Sequence, residues 1–411
     1  MNNSDLSQKI ATLPAGLASG LTQLVAAAQV LGYRLYLVGG AVRDLILGRP
    51  VRDADIVVLG EAITLAEALA STLGKPSLYP AFGTATFTLD NTRLDLSSSR
   101  AESYAHPGAL PTVRPGTLEE DLRRRDFTIN TLAISLNGGD YGRLIDCCDG
   151  RVDLKNHLIR ALHKDSFADD PTRIWRAVRY ELRLGFRIEP DTLLWLTRGL
   201  SGLQSITGDR AWYELACLLQ EDEPEGMLAR LGELGVLCLL SPTLRVDEWL
   251  VDKFRAGRAS GDPLLPLYLA LLTYRLPRAG VETLAEYLPL SKPLRKIIRD
   301  TRSLKARLPI LARINLKPST VYYQLHGYAP EAIEANLIAS ASPTVRYNIE
   351  LYQHKLKRIK TALTGDDLVA LGVPPGPRVG EVLRCLLKAR LDAQVGNRAE
   401  EIILAKTLIA L

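Results

Sequence analysis

Two hydrophobic periods divide this chain, and they occupy different stretches of it. Short runs of strand character fill the first hundred residues. Leu35–Val38, Ile56–Leu59, Thr84–Leu89 and Arg93–Leu96 are β-branched or alternating and are bounded by turn residues. Asp90-Asn91-Thr92 makes a hairpin turn between the last two. From about Leu118 the apolar residues recur at helical spacing nearly to the end, broken at glycine and proline clusters. This ordering predicts an α+β fold: a small mixed sheet with helices, then an all-helical remainder. No fixed-period repeat and no low-complexity tract interrupts it.

A length of 411 residues leaves room for several domains, and 47% apolar with 24% charged residues is the balance of a folded globular chain rather than a disordered one. The longest apolar run, Leu264–Leu272, is shorter than the roughly 18 residues a membrane span needs. The N-terminus shows no basic stretch followed by an apolar core, so no secretory signal is read there. Five cysteines, scattered except for Cys147-Cys148, form no C-x-x-C pair and read as buried thiols of a reducing cytoplasm. Five histidines without ligand spacing argue against a zinc site. The expectation is a cytoplasmic protein with no membrane partner.

Charge is distributed unevenly. Between Asp252 and Lys360 there are 19 Lys/Arg against 8 Asp/Glu, whereas the rest of the chain is net −6 within an overall +5. Such asymmetry suits a polyanion held mainly by one segment, or else a solvated basic helical face. Lys292, Arg295, Arg299 and Arg302 recur at helical spacing, and Lys355, Lys357, Arg358 and Lys360 cluster further on.

Three groups of residues could carry chemistry. In the first, a strand ends at Val38, Gly39 and Gly40 follow, and a helix opens at Ala41 with Arg43 and Asp44 in its first turn. Glycines let a phosphate approach backbone N–H groups, and a helix N-terminus favours an anion. Arg43 could clamp a triphosphate through both prongs of its guanidinium. Asp53 and Asp55 lie two apart at the start of a strand, so both side chains leave one face. Two carboxylates on one face suit Mg²⁺, which takes oxygen ligands and shares substrate phosphates. Asp95, on a later strand, could add a third.

The second group is Glu119 to Asn130, in which Arg124, Arg125 and Asp126 could hold a nucleotide's ribose and phosphates or simply pair with their own acids. The third runs from Phe167 to Tyr180. Pro171 fits a helix's first turn, and Asp170 and Arg173 are three apart on one face, as a base-reading pair or an ordinary ion pair. Arg210 and Glu214 have helical spacing too, and there the spacing favours a structural pair.

Taken together, the Gly39-Gly40-x-Val42-Arg43-Asp44 run, Asp53-x-Asp55, Arg124 to Asn130 and Asp169-Asp170-Pro171-x-Arg173 resemble the bacterial-type (class II) tRNA nucleotidyltransferases and their poly(A) polymerase relatives. The resemblance covers most of the chain and implies a polymerase-β-like head with a five-stranded sheet over residues 1–148. A neck (149–206), a helical body (207–310) and a helical tail (311–411) would follow. It implies Asp53 and Asp55 as metal carboxylates with Asp95 a looser third. Gly39, Gly40, Arg43 and Asp44 would lie at the triphosphate, Arg124, Arg125 and Asp126 at the ribose, and Asp170 with Arg173 at the base. Asp169 stands where the family usually has Glu.

The activity implied is template-independent addition of C, C and A to a tRNA 3′ end from CTP and ATP, with two Mg²⁺ ions and release of pyrophosphate. Lys292, Arg295, Arg299 and Arg302 would then contact tRNA. Enzymes adding only CC or only A are the near alternatives, and the segment from Ala101 to Thr117 bears on the choice. A poly(A) polymerase is disfavoured because Ala81–Phe87 lacks the basic-apolar signature of those enzymes. A catalytically inactive RNA-binding protein is disfavoured because all three aspartates are present.

Overall fold

The structure, a computed structural model, describes residues 3–103, 112–259, 261 and 265–410. The chain divides into two compact units, Met1–Glu214 with Glu233–Val236, and Leu215–Gly232 with Leu237–Leu411. The residues expected to form a head and a neck fall in the same unit.

The first unit is built on β1 (Arg34–Val38), β2 (Asp53–Leu59), β3 (Ser77–Tyr79), β4 (Thr84–Leu89), β5 (Thr92–Ser98), β8 (Leu132–Ser135) and β9 (Leu144–Asp146). They form one seven-stranded sheet in the order β3-β4-β5-β2-β1-β8-β9, while β6 (Arg100–Ser103) and β7 (Thr112–Pro115) pair with each other. The resemblance implies five strands; the sheet has seven, because β3 and β9 add to it at its two edges. Within the seven-stranded sheet only β2 and β5 run parallel. Asp90, at φ +53°, turns the hairpin between β4 and β5.

Strands β8 and β9 of this sheet depart from the helical reading, as do the short paired strands Leu158–Ile159 and Arg187–Ile188. Leu132–Ser135 is buried at every position and sits between β1 and β9. In β8 three apolar residues and Ser135, covered on both faces, have no period to show, so the run merges with the helical pattern on either side.

Helices of this unit are α1 (Ala15–Leu31), α2 (Gly40–Leu47), α3 (Leu118–Arg123), α4 (Gly150–Lys155) and α5 (Arg173–Leu184), while α6 (Gly208–Leu219) begins in it and ends in the second. Leu17, Leu21, Leu24 and Ala28 give α1 its buried stripe. In α3, Thr117 accepts from the Glu120 N–H and the Glu120 carboxylate accepts from the Thr117 N–H, which fixes the helix start. Helix α5 buries Ile174, Trp175, Ala177 and Val178 and ends at Gly185 in the left-handed region. Phe127 meets Tyr180 of α5 edge to face with ring centroids 5.9 Å apart.

The second unit is helical. Leu304, Leu311, Val321, Leu325 and Ile349 centre one of its cores, and Leu363, Leu368, Val382, Leu386 and Ala405 another. Its helix α7 (Lys292–Lys305) carries the basic stripe. Among the described residues no single helix is long and apolar enough to cross a membrane.

Candidate active site

Sheet register brings the first group together. Val38 pairs with Asp55 across β1 and β2, and Asp55 pairs with Asp95 across β2 and β5. Asp53 pairs with Arg93 in the same ladder. On β2 the residues Ala54, Ile56 and Val58 are fully buried, so Asp53 and Asp55 project from the opposite, solvent-reachable face. Gly39 lies beside them, bent to φ +69° and ψ −135°, a conformation open essentially to glycine alone. A Cβ there would come within 2.8 Å of Arg125 Nη1 and 3.5 Å of Asp55 Oδ2. The turn, the carboxylate and the guanidinium therefore share one small space. Gly39→Ala is expected to force this turn open, destabilising the fold by about 1–3 kcal/mol and stopping any reaction at the site. Thermal unfolding together with an activity assay checks both effects.

Asp55 is reachable by solvent, yet the protein packed round its carboxyl pushes its pKa up. Arg125 opposes that shift, and the nearby charges of Asp95 and Asp53 add to it. Like charges gathered on one strand face are what a divalent cation would neutralise, so Asp53 and Asp55 fit the metal role. Asp95 fits it less well. Its carboxylate accepts from Thr86 Oγ1 at 2.5 Å and from Arg93 Nη2 at 3.2 Å, so its charge is already offset. Among the described residues no three His, Cys, Asp or Glu side chains converge as a metal cage.

Arg43 and Asp44 depart from the phosphate-clamp expectation. Arg43 is 2% exposed and uses both prongs on its neighbour, Nε to Asp44 Oδ1 at 2.9 Å and Nη2 to Asp44 Oδ2 at 3.0 Å. Its Nη1 donates to Asn130 Oδ1 at 2.7 Å. A guanidinium so occupied positions the turn from behind and has no free fork for a triphosphate.

Asp126 is likewise buried and committed within the protein. It accepts from the Phe127 N–H, from Asn130 Nδ2 at 2.9 Å and from Arg176, whose Nε lies 2.8 Å and Nη2 2.6 Å away. Burial would raise its pKa, but Arg176 and Asn130 outweigh burial and hold it down to about 2. Arg124 and Arg125 both pair with Asp121, which is fully buried, and Arg124 also reaches Glu102. Burial pushes the Asp121 carboxyl up, and these two guanidinia bring it below the usual range. Of the three residues expected at the ribose, only Arg125 borders the Gly39 turn.

Asp170 and Arg173 do not bond to each other through their side chains, which removes the simple ion-pair reading. Asp170 accepts from the Thr172 N–H and hydroxyl and from Arg210 Nη2 at 2.5 Å. Arg173 donates to Ser166 Oγ at 2.6 Å and to the Arg124 carbonyl at 2.9 Å. Arg210 and Glu214, expected as a pair within one helix, instead serve other partners: Arg210 holds Asp170, and Glu214 faces Arg179 at 3.5 Å.

Sequence reasoning passed over Asn130, Arg176, Tyr180 and Asp121. Arg43, Arg176 and Arg179 all lie within 6 Å of the Tyr180 ring, at 5.1, 5.7 and 5.8 Å from its centroid. For Arg176 and Tyr180 the available signal is helical spacing, since Arg173, Arg176 and Tyr180 fall on one side of α5; Asp121 and Asn130 lie on other elements and carry no such signal.

On α7, Lys292, Arg295 and Arg299 are exposed, whereas Arg302 is half-buried and departs from the solvent stripe. Arg299 is also paired with Glu282. Lys355, Lys357, Arg358 and Lys360 are all exposed.

Residues 35–160 match the family model of the poly A polymerase head domain. An A-adding tRNA nucleotidyltransferase of Geobacter sulfurreducens is 36% identical over 91% of this chain, although the chain spans only 45% of that relative's length. An A-adding tRNA nucleotidyltransferase of Halalkalibacterium halodurans is 33% identical, with 94% of this chain and 91% of the relative covered. A solved CCA-adding enzyme in an apo form is 30% identical with a TM-score of 0.79, covering 100% of this chain and 99% of that one. Structures of CCA-adding enzymes with tRNA, ATP or CTP, 28–30% identical, match at TM-scores from 0.73 to 0.76. Likeness of this identity along nearly the whole length, with the aspartate pair and glycine turn on one sheet face, means that the chain belongs to the bacterial class II tRNA nucleotidyltransferases.

Proposed function

We propose that this protein adds C, C and A in turn to the 3′ end of tRNA, using CTP and ATP without a nucleic-acid template and releasing pyrophosphate in the cytoplasm. The observation that carries the reading is the shared space of Gly39, Asp55 and Arg125, with Asp53 on the same face. In it the tRNA 3′-hydroxyl attacks the α-phosphate. Asp53 and Asp55 would hold Mg²⁺, which supplies charge stabilisation and an activated hydroxyl when bound. Arg125 places positive charge beside the turn where phosphate oxygens would lie. Arg43, Asn130, Asp126 and Arg176 keep that turn and α5 in fixed register.

Asp170 and Arg173 are proposed to read the base. Cytosine and adenine each present an amino donor beside a ring-nitrogen acceptor, which a carboxylate and a guanidinium complement; uracil and guanine present the reverse. Each side chain is oriented by a partner outside the pair, Asp170 by Arg210 and Arg173 by Ser166.

A second reading, addition of the terminal A alone, is favoured by the A-adding relatives at 36% and 33% identity. The segment Ala101–Thr117, which bears on this choice, lies in part (104–111) outside the described residues. Incubating the protein with tRNAs ending before C, after C and after CC, with CTP and ATP separately and together, decides. Extension of all three to CCA supports the proposal, and extension of only the last by ATP supports the second reading.

The exposed Lys292, Arg295 and Arg299, with the cluster from Lys355 to Lys360, are proposed to contact tRNA phosphates, with Arg302 contributing less. Replacing Lys292 and Arg295 by Ala is expected to weaken tRNA binding and to lower the salt slope by about one per lost contact. Arg299→Ala should do less, because Glu282 already offsets its charge. Affinities measured across a salt series check this, and unchanged slopes would remove the stripe from the interface.

A further inference from the structure

Cys147 and Cys148 directly follow β9, and their Sγ atoms lie 3.5 Å apart, both half-buried. They are not among the residues that act at the site above. Cys147 packs against Tyr36, Val38, Val57, Leu122 and Ala133, and its carbonyl accepts from Arg123 Nη2 at 3.3 Å. The pair stands at a joint. Asp146, just before it, accepts from the N–H groups of Cys148, Gly150 and Arg151 and so holds the start of α4. Asp149, at φ +58°, completes the turn.

That joint leads to the active site in two contacts. A Cβ on Gly150 would fall 2.3 Å from the Thr128 carbonyl oxygen, so α4 rests directly on this turn. Thr128 Oγ1 donates to Asp153 Oδ2 of α4 at 2.6 Å. The Thr128–Asn130 turn then carries Asn130, whose amide bonds both Arg43 and Asp126.

We propose that Cys147 and Cys148 are a reversible thiol-modification site, closed to a vicinal disulfide by a small disulfide such as oxidised glutathione, and that closure loosens α4 and the Thr128–Asn130 turn. One thiolate attacks a glutathione sulfur, forming a mixed disulfide and releasing one glutathione thiolate, which takes a proton. The second cysteine, losing its proton, attacks the protein sulfur of that mixed disulfide and releases the second glutathione. Two thiols are oxidised and one disulfide is reduced to two thiols. Burial and the neighbouring Cys148 push the Cys147 thiol up to about 12. The share owed to Cys148 is relieved once that sulfur is in the mixed disulfide, while burial, the larger cause, remains, so ring closure is the slower step.

Neighbouring Cα atoms across a trans peptide are about 3.8 Å apart, below the roughly 4.4–6.8 Å of ordinary disulfides. The ring is therefore strained and readily reduced, as suits a reversible modification rather than a staple. The strain falls on the peptide unit whose N–H is held by Asp146.

The test equilibrates the full-length reduced protein with oxidised glutathione, alkylates it and maps the peptide holding both cysteines. That peptide is expected to lose the mass of two hydrogens, to resist alkylation and to recover with dithiothreitol. Amide exchange at Gly150, Arg151 and Thr128–Asn130 should speed up several-fold, and tRNA nucleotide addition should slow several-fold. Cys148→Ser, treated identically, should keep its exchange and its rate. The proposal fails if both thiols stay alkylatable at every glutathione ratio, or if the ring forms while exchange is unchanged. It fails equally if Cys148→Ser is slowed as much as the parent. A protein without nucleotide addition would refute the proposed function, whereas mass and exchange would still decide this proposal.

Discussion

Asp53→Ala and Asp55→Ala are each expected to abolish nucleotide addition while leaving thermal unfolding close to that of the parent. Losing one metal carboxylate removes transition-state charge stabilisation worth several kcal/mol, a fall in rate of about 10³-fold or more. Stability should not follow activity. The raised pKa of Asp55 means that the folded chain pays to keep this carboxyl ionised among Asp53 and Asp95. Removing the charge relieves first its desolvation and then that repulsion, so Asp55→Ala should melt at or slightly above the parent's temperature. Single-turnover addition measured beside a thermal melt separates the two quantities. A rate within a few-fold of the parent would end the two-carboxylate assignment.

The second large effect is expected at Asp126, through the fold. Asp126→Asn removes the charge that holds Arg176 and leaves that guanidinium without its main partner, a loss of about 3–5 kcal/mol. The pH dependence carries a definite sign. With its pKa held at about 2, below the ordinary value, Asp126 contributes about 2 kcal/mol that is fully present above about pH 4. That contribution is lost as pH falls through about 2. Denaturant unfolding at pH steps from neutral to acid should show the loss in the parent and not in Asp126→Asn. Equal acid sensitivity in both would place the stabilising charge elsewhere.

Much of the sheet and part of the site were legible from residue order. Strands β1, β2, β4 and β5 announce themselves by alternation and turn residues, and β8 does not, because burial on both faces removes the alternation. Asp53 and Asp55 could be placed on one face from spacing alone, since a strand's period is fixed. Arg43 was legible as a charge beside a phosphate-type turn, but not as the buried partner of Asp44 and Asn130. That pairing depends on Asn130, 87 residues away, being brought up by β8 against β1. The same holds for Asp126 with Arg176, and for Arg210 with Asp170 in place of Glu214. Pairings between elements are set by packing, and helical spacing alone names the wrong partner.

If this site adds C, C and A by selecting nucleotides with protein side chains, the sequence of the product ends must show it. A tRNA lacking its last three nucleotides is incubated with the protein and all four nucleoside triphosphates together. Products are expected to end uniformly in CCA, with no U or G incorporated and no further extension. Products left unextended, or carrying A tails or mixed nucleotides, would contradict it.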